Sequence, residues 1–275
     1  MTSKKRTWKF WTGRVLLVLL VLAVAWLINL IWFKPLNIKH FYEKVFIELL
    51  VSSPEITTQL GVPILYDLNK YDLDDISDER LWKDFNKQKE NYATLLSYDF
   101  DRQSPENQLN TKILEYYTRV NYIEKEPFFY HDYPVNQMFG EQNNLPSFMV
   151  SSHRLKSKKD IEAYIARLSK FDTKFSQVID NLKIRESKGI ILPRFIISIV
   201  LDEMKGFVGQ SIDTVVSESV DPMAAVRSNT LYTNFAEKVD ELENITEDQK
   251  HDYKERVADA IEETVFPAYQ SLIDG

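Results

Sequence analysis

Ser157–Leu182 reads SKKDIEAYIARLSKFDTKFSQVIDNL, and the placing of its apolar residues decides the fold class. Ile161, Tyr164, Ile165, Leu168, Phe171, Phe175, Val178, Ile179 and Leu182 recur three and four apart, the spacing that gathers side chains on one face of an α-helix. Ser157 stands before them as an N-cap, with Asp160 three residues on in a variant of the capping box. The pattern predicts one unbroken amphipathic helix.

On its carboxyl side, Gly189 and Pro193 separate this helix from IISIVLDEMKGFV at 196–208, which is apolar on several sides and therefore expected at the centre of a bundle. Asp221-Pro222 opens a further helix, and Thr246 with Gln249 forms a capping box for the last one. There Tyr253, Val257, Ala260, Ile261, Thr264 and Val265 are expected to face inward, and Pro267 to kink the helix. Asn244-Ile245-Thr246 fits both a glycosylation triplet and a cap, of which the cap is preferred.

On its amino side, Tyr133–Pro146 reads YPVNQMFGEQNNLP, where two prolines, a glycine and several amides interrupt the helical period. It is expected to be an ordered connector or a site. Further upstream, Ser104-Pro105-Glu106 starts a helix whose inner face would be Leu109, Ile113, Tyr116, Tyr117, Val120 and Ile123. Ser77, followed by Asp78 and Glu79, starts another, since acids in a first turn complement the exposed amides there. Leu36–Val51 has the spacing of an amphipathic helix, whereas Pro54–Tyr71 reads as turns broken by Gly61 and Pro63. With seven glycines and no Asn-Gly turn in 275 residues, an all-β architecture is disfavoured. The expected class is all-α, a multi-helix bundle preceded by one amino-terminal transmembrane helix.

That transmembrane helix is Val15–Phe33, VLLVLLVLAVAWLINLIWF, whose single polar residue is Asn29. At about 1.5 Å per residue it reaches roughly 28 Å, enough to span a bilayer. Residues 1–14 form a basic tail expected in the cytoplasm, which leaves the bulk of the chain extracytoplasmic, periplasmic or at the cell surface. A competing reading is a cleaved signal peptide ending at Ala23-Val24-Ala25, but a mostly apolar run continues past it. Residues 1–34 carry six basic residues and no acid, so a net charge of −7 for the whole leaves −13 on the remainder. The partners read from this are the lipid bilayer, through Val15–Phe33, and no nucleic acid, whose phosphates demand clustered Lys and Arg. The absence of cysteine excludes disulfides, thiolate metal sites and a cysteine nucleophile.

No catalytic or metal-ligating constellation stands out. His40, His131, His153 and His251 fit neither H-E-x-x-H nor its inverse, and no G-x-S-x-G or phosphate loop occurs. His251 and Glu255 share a helical face but read as a solvated pair, and Asp202-Glu203 and Glu262-Glu263 diverge as helix neighbours do.

Several short motifs, in order, resemble one family. Ser53-Pro54-Glu55 with Thr57 and Leu60-Gly61, Tyr133-Pro134-Val135-Asn136-Gln137 with Gly140 and Leu145-Pro146, Asp160 with Tyr164 and Arg167-Leu168, then Gly189 and Pro193, follow the amino-terminal half of the bacterial family called domain of unknown function 885. The resemblance implies a helical, zinc-metallopeptidase-like architecture across 36–275, with the zinc motif in a second half that these residues do not contain. The domain is therefore expected to be incomplete, without a cofactor of its own, zinc belonging to a full-length member, and inactive alone. Asn136, Gln137 and Gly140 are then candidates for one wall of a cleft holding a peptide substrate, with a structural joint as the other reading of that stretch. A non-enzymatic, membrane-tethered helical binding module is the alternative function.

Overall fold

The computed structural model describes residues 3–210 and 222–275, and among the described residues every regular element is helical. In chain order the α-helices are α1 (Ser3–Trp32), α2 (Ile38–Ser52), α3 (Pro54–Leu60), α4 (Pro63–Asn69), α5 (Asp78–Leu96), α6 (Pro105–Thr118), α7 (Glu141–Ser151), α8 (Lys158–Leu168), α9 (Phe171–Ser187), α10 (Arg194–Phe207), α11 (Pro222–Ser228), α12 (Thr230–Asp240), α13 (Glu247–Ala260) and α14 (Phe266–Asp274). The expected caps are in place: Ser104, Ser157 and Thr246 each accept a backbone N–H of the following turn, and Thr246 with Gln249 completes the reciprocal box. Asn244-Ile245-Thr246 thus includes a helix cap. Helix α11 begins at Pro222; Asp221 of its expected start signal lies outside the described residues.

Pro54–Tyr71 is not a run of turns. Pro54 and Pro63 occupy first-turn positions of α3 and α4, where a missing N–H costs nothing, and Gly61 ends α3 at φ 65°. The chain divides into two compact units, Met1–Leu49 with Asn86–Glu124, and Leu50–Phe85 with Lys125–Gly275.

In the first unit α1 is continuous from Ser3 to Trp32. The span expected at 15–33 falls on α1, with Phe33 just past its end, and among the described residues no helix is long and apolar enough to cross a membrane. Ile38, Phe41 and Leu95 form a small core, ringed by Tyr42, Val45, Tyr98 and Leu114. The stripe expected to face inward on α6 is exposed at Leu109, Ile113, Tyr116 and Tyr117. Instead α6 buries Thr111 and Thr118. Tyr42 Oη lies 2.7 Å from Thr111 Oγ1, which donates to Gln103 at 2.6 Å, so hydrogen bonding and not apolar burial sets the rotation of this helix.

The second unit holds the main core, with Phe171, Phe175 and Val178 of α9 against Tyr269 and Leu272 of α14, and Tyr164 of α8 tilted over Phe235 of α12 at 5.0 Å. Phe175 meets Tyr269 edge-on at 4.9 Å, a favoured aromatic geometry. The Ser157–Leu182 stripe is two helices, since α8 ends at Leu168 and α9 starts at Phe171. Lys170 at the break has a non-helical backbone and its ammonium pairs with Asp72. Helix α10 is not central on all sides: Ile196, Val200 and Met204 are buried while Phe195 and Ile199 are exposed. Ahead of Pro267 the expected kink takes the form of a π-helical turn, Ile261–Val265, in which Phe266 N–H reaches Ile261. That wider turn absorbs the proline.

Candidate functional site

The motif residues of α3, α8 and the 133–140 connector all lie in the second unit. Arg167 is 0% exposed and each of its three guanidinium nitrogens makes a hydrogen bond. Nε donates to the Asp72 carbonyl at 2.9 Å, Nη2 to Thr58 Oγ1 at 2.7 Å, and Nη1 to His153 Nδ1 at 2.9 Å. Because a guanidinium can only donate, His153 Nδ1 is the acceptor, and Nε2 carries the proton that goes to the Asp160 carbonyl at 2.9 Å. The imidazole is therefore neutral. Burial first, and the adjacent Arg167 charge second, lower its pKa from 6.5 to about 4. The same burial lowers Arg167 to about 10.

Asp160 is the second hub. Its Oδ1 accepts from Lys70 Nζ at 3.1 Å and Tyr66 Oη at 3.3 Å, and its Oδ2 accepts from Ser157 Oγ at 2.8 Å and Lys156 N–H at 3.3 Å. Burial raises its pKa, but the bonds from Ser157 and Lys70 outweigh that, and it stays ionised below the usual carboxylate range. The contacts with Tyr66 and Lys70 fasten the amino end of α8 to the α4 segment, 94 and 90 residues upstream, while Arg167 fastens its carboxyl end to α3.

A third buried group joins α9 to α3 and α7. Lys174 lies between Glu55, with which it hydrogen-bonds, and Glu141, 3.4 Å away. Glu55 and Asp74 lock reciprocally: Asp74 N–H donates to Glu55 at 3.0 Å, and Glu55 N–H to Asp74 at 2.9 Å. Ser53 Oγ adds a bond to Asp74 at 2.6 Å. Burial, reinforced by the neighbouring Glu55 charge, raises the Asp74 pKa, and burial raises that of Glu141. Burial acts to lower Lys174, but Glu141 and Glu55 reverse this and raise it.

The connector is held mainly by its own amide. Asn136 Oδ1 accepts the N–H groups of Met138 at 3.0 Å and Phe139 at 2.8 Å, and its Nδ2 donates to the Tyr133 carbonyl at 3.0 Å. Gln142 Nε2 then closes on the Asn136 carbonyl at 2.6 Å. Gly140 must lack a side chain, since a Cβ there would fall 2.4 Å from Asn136 N and 2.7 Å from its carbonyl oxygen. Gln137 is exposed. The interruption is shorter than its sequence suggests, because α7 begins at Glu141 and carries Pro146 in its interior.

The zinc that the resemblance implies belongs to a second half, and these clamps show no ligand set for it. Among the described residues no three His, Cys, Asp or Glu side chains gather as metal ligands. Both His153 nitrogens are engaged, and Glu255, four residues from His251, faces Arg227 at 3.0 and 3.1 Å. Sequence reasoning did not find His153, Lys70, Asp74 or Lys174, whose partners are distant in the chain and leave no local spacing to read.

Fold and site together define an all-helical bundle whose motif residues form buried polar clamps. The model of the family described as bacterial protein of unknown function (DUF885) matches residues 54–275, and the chain belongs to that family. Among solved structures, the crystal structure described as that of "the putative lipoprotein from Colwellia psychrerythraea" is similar at a TM-score of 0.67 and 20% identity. The match covers 82% of this chain and 39% of that one, so the chain spans about two fifths of its neighbour's length. No curated protein matches at a significant level.

Proposed function

We propose that this chain is a membrane-tethered, extracytoplasmic helical half of a DUF885 protein, non-catalytic by itself, in a family whose longer members resemble zinc metallopeptidases. The observation that carries this reading is that the polar motif residues are satisfied within the fold: Arg167, Asp160 and Glu55 each bind neighbouring backbone or side-chain groups. Groups so enclosed hold helices in register and do not meet a substrate. The metal and base chemistry then belongs to the part of longer relatives that this chain does not span. Within the connector, Asn136 and Gly140 shape the loop, and the exposed Gln137 is the side chain this reading assigns to a cleft wall along an extended peptide.

The tether rests on the apolar run Val15–Phe33, carried on the continuous helix α1 behind a basic tail. A lipoprotein among the structural neighbours agrees with a membrane-associated, extracytoplasmic setting. The test is topology in a bacterial host. The full chain should resist alkaline carbonate extraction, and its carboxyl-terminal domain should be digested by protease added to intact spheroplasts. Release by carbonate together with protection from protease would overturn the placement.

A further inference from the structure

A cavity of about 410 Å³ opens in the second unit between the connector, α9, α10 and the end of α14. Its volume lies in the range of small-molecule sites, about 300–1,000 Å³. The walls are aliphatic, with Val135, Leu182, Val200, Leu201, Met204 and Leu272 lining it. One charged group in the lining, Arg185, is buried, at 5% exposure; the other charges there, Lys183, Glu186 and Asp274, are exposed at the rim.

Arg185 differs from the other buried cations of this unit. Lys70 and Lys174 each meet carboxylates, and Arg167 uses all three guanidinium nitrogens. Arg185 donates from Nε to the Asp132 carbonyl at 2.6 Å and from Nη1 to the Asn181 carbonyl at 3.1 Å and its Oδ1 at 3.5 Å. Its Nη2 has no hydrogen-bond partner among the described residues, and no carboxylate lies within ion-pair distance of it. A guanidinium held on two sides by neutral acceptors, with its carbon 5.7 Å from the centroid of the Tyr130 ring, keeps its positive charge and the Nη2 donor edge for something else. An aliphatic wall beside that face selects an amphipathic anion.

From this geometry we infer that the cavity is a binding site for an aliphatic carboxylic acid, the carboxylate on Arg185 Nη2 and the hydrocarbon tail along Leu182, Leu201 and Met204. The site is independent of the clamps around Arg167 and Lys174 and does not depend on the membrane tether. Burying the tail supplies the affinity and the guanidinium supplies the preference for an anion.

The experiment uses the full chain in nanodiscs, with empty nanodiscs as reference, and titrates octanoate and octan-1-ol by calorimetry and by the carboxyl ¹³C signal of labelled octanoate. Saturable binding at one site is expected, octanoate at least tenfold tighter than the alcohol. Arg185→Gln should remove that preference while leaving alcohol binding unchanged. Leu201→Trp, which fills the cavity without touching Arg185's hydrogen bonds, should abolish binding of both and so keeps the test decisive if Arg185→Gln does not fold. Equal binding of acid and alcohol to the unaltered chain, no saturable binding, or octanoate binding that survives Leu201→Trp would overturn the assignment.

Discussion

Tyr269 Oη donates to the backbone carbonyl of Gln142, the acceptor that Pro146, four residues on in α7 and without an amide proton, leaves without its helical partner. Both residues are buried, Tyr269 in the last helix and Gln142 in the first turn of α7. A proline inside a helix usually leaves this carbonyl to water. Here a side chain 127 residues away replaces water, and the tyrosine's pKa is pushed well above 10 by burial.

Removing that hydroxyl should therefore cost more than an exposed one would. Tyr269→Phe leaves a buried carbonyl unsatisfied, and a loss of about 1–3 kcal/mol is expected in urea unfolding. Adding Pro146→Ala restores an N–H at the right position. The double variant should lose less than the sum of the single changes, a coupling that a denaturant double-mutant cycle measures directly.

The neutral His153 makes stability depend on pH with a definite sign. Its folded pKa, about 4, lies below the ordinary 6.5 of the unfolded chain, so between these values the unfolded state binds the extra proton. The stability it protects is complete above pH 6.5, falls as the pH drops towards 4, and the loss amounts to at most about 3 kcal/mol. Asp74 and Glu141, whose pKa values burial raises, work in the opposite direction within the carboxylate range. His153→Gln keeps a donor and an acceptor but does not titrate. Its unfolding midpoint should therefore fall less than the unaltered chain's between pH 7 and 5.

Buried Lys174 compensates half-buried carboxylates on two helices. Lys174→Met keeps the volume and removes the charge, leaving Glu55 and Glu141 uncompensated, and a loss of about 3–5 kcal/mol is expected near neutral pH. The deficit should shrink towards pH 4, because burial raises the Glu141 pKa and its protonation removes one of the uncompensated charges. Comparing urea midpoints at the two pH values checks both statements.

Much of this architecture is legible residue by residue. Ser104, Ser157 and Thr246 announce their helices because a cap needs only a neighbour three positions away. The break between α8 and α9 is not legible, since the apolar period stays in phase across Ser169 and Lys170 and only the distant Asp72 marks it. Pro146 reads as a helix breaker until Tyr269 is known to serve the carbonyl it strands. The stripe on α6 misleads because Thr111, polar in sequence, finds Tyr42 and Gln103 and is buried in its place. The Asp160 and Arg167 clamps are invisible for the same reason: Lys70 lies 90 residues from Asp160, and Thr58 lies 109 from Arg167. Periodicity reports one helix against water and says nothing about which distant polar group it will meet.

The central claim is that the motif residues of this chain build a fold and not a catalytic centre, and hydrolysis measures it most directly. The full chain in nanodiscs, supplied with stoichiometric zinc and a mixed library of short peptides, should release no product beyond zinc-treated empty nanodiscs over a day, by mass spectrometry. Robust turnover that a chelator abolishes and zinc restores would contradict the account.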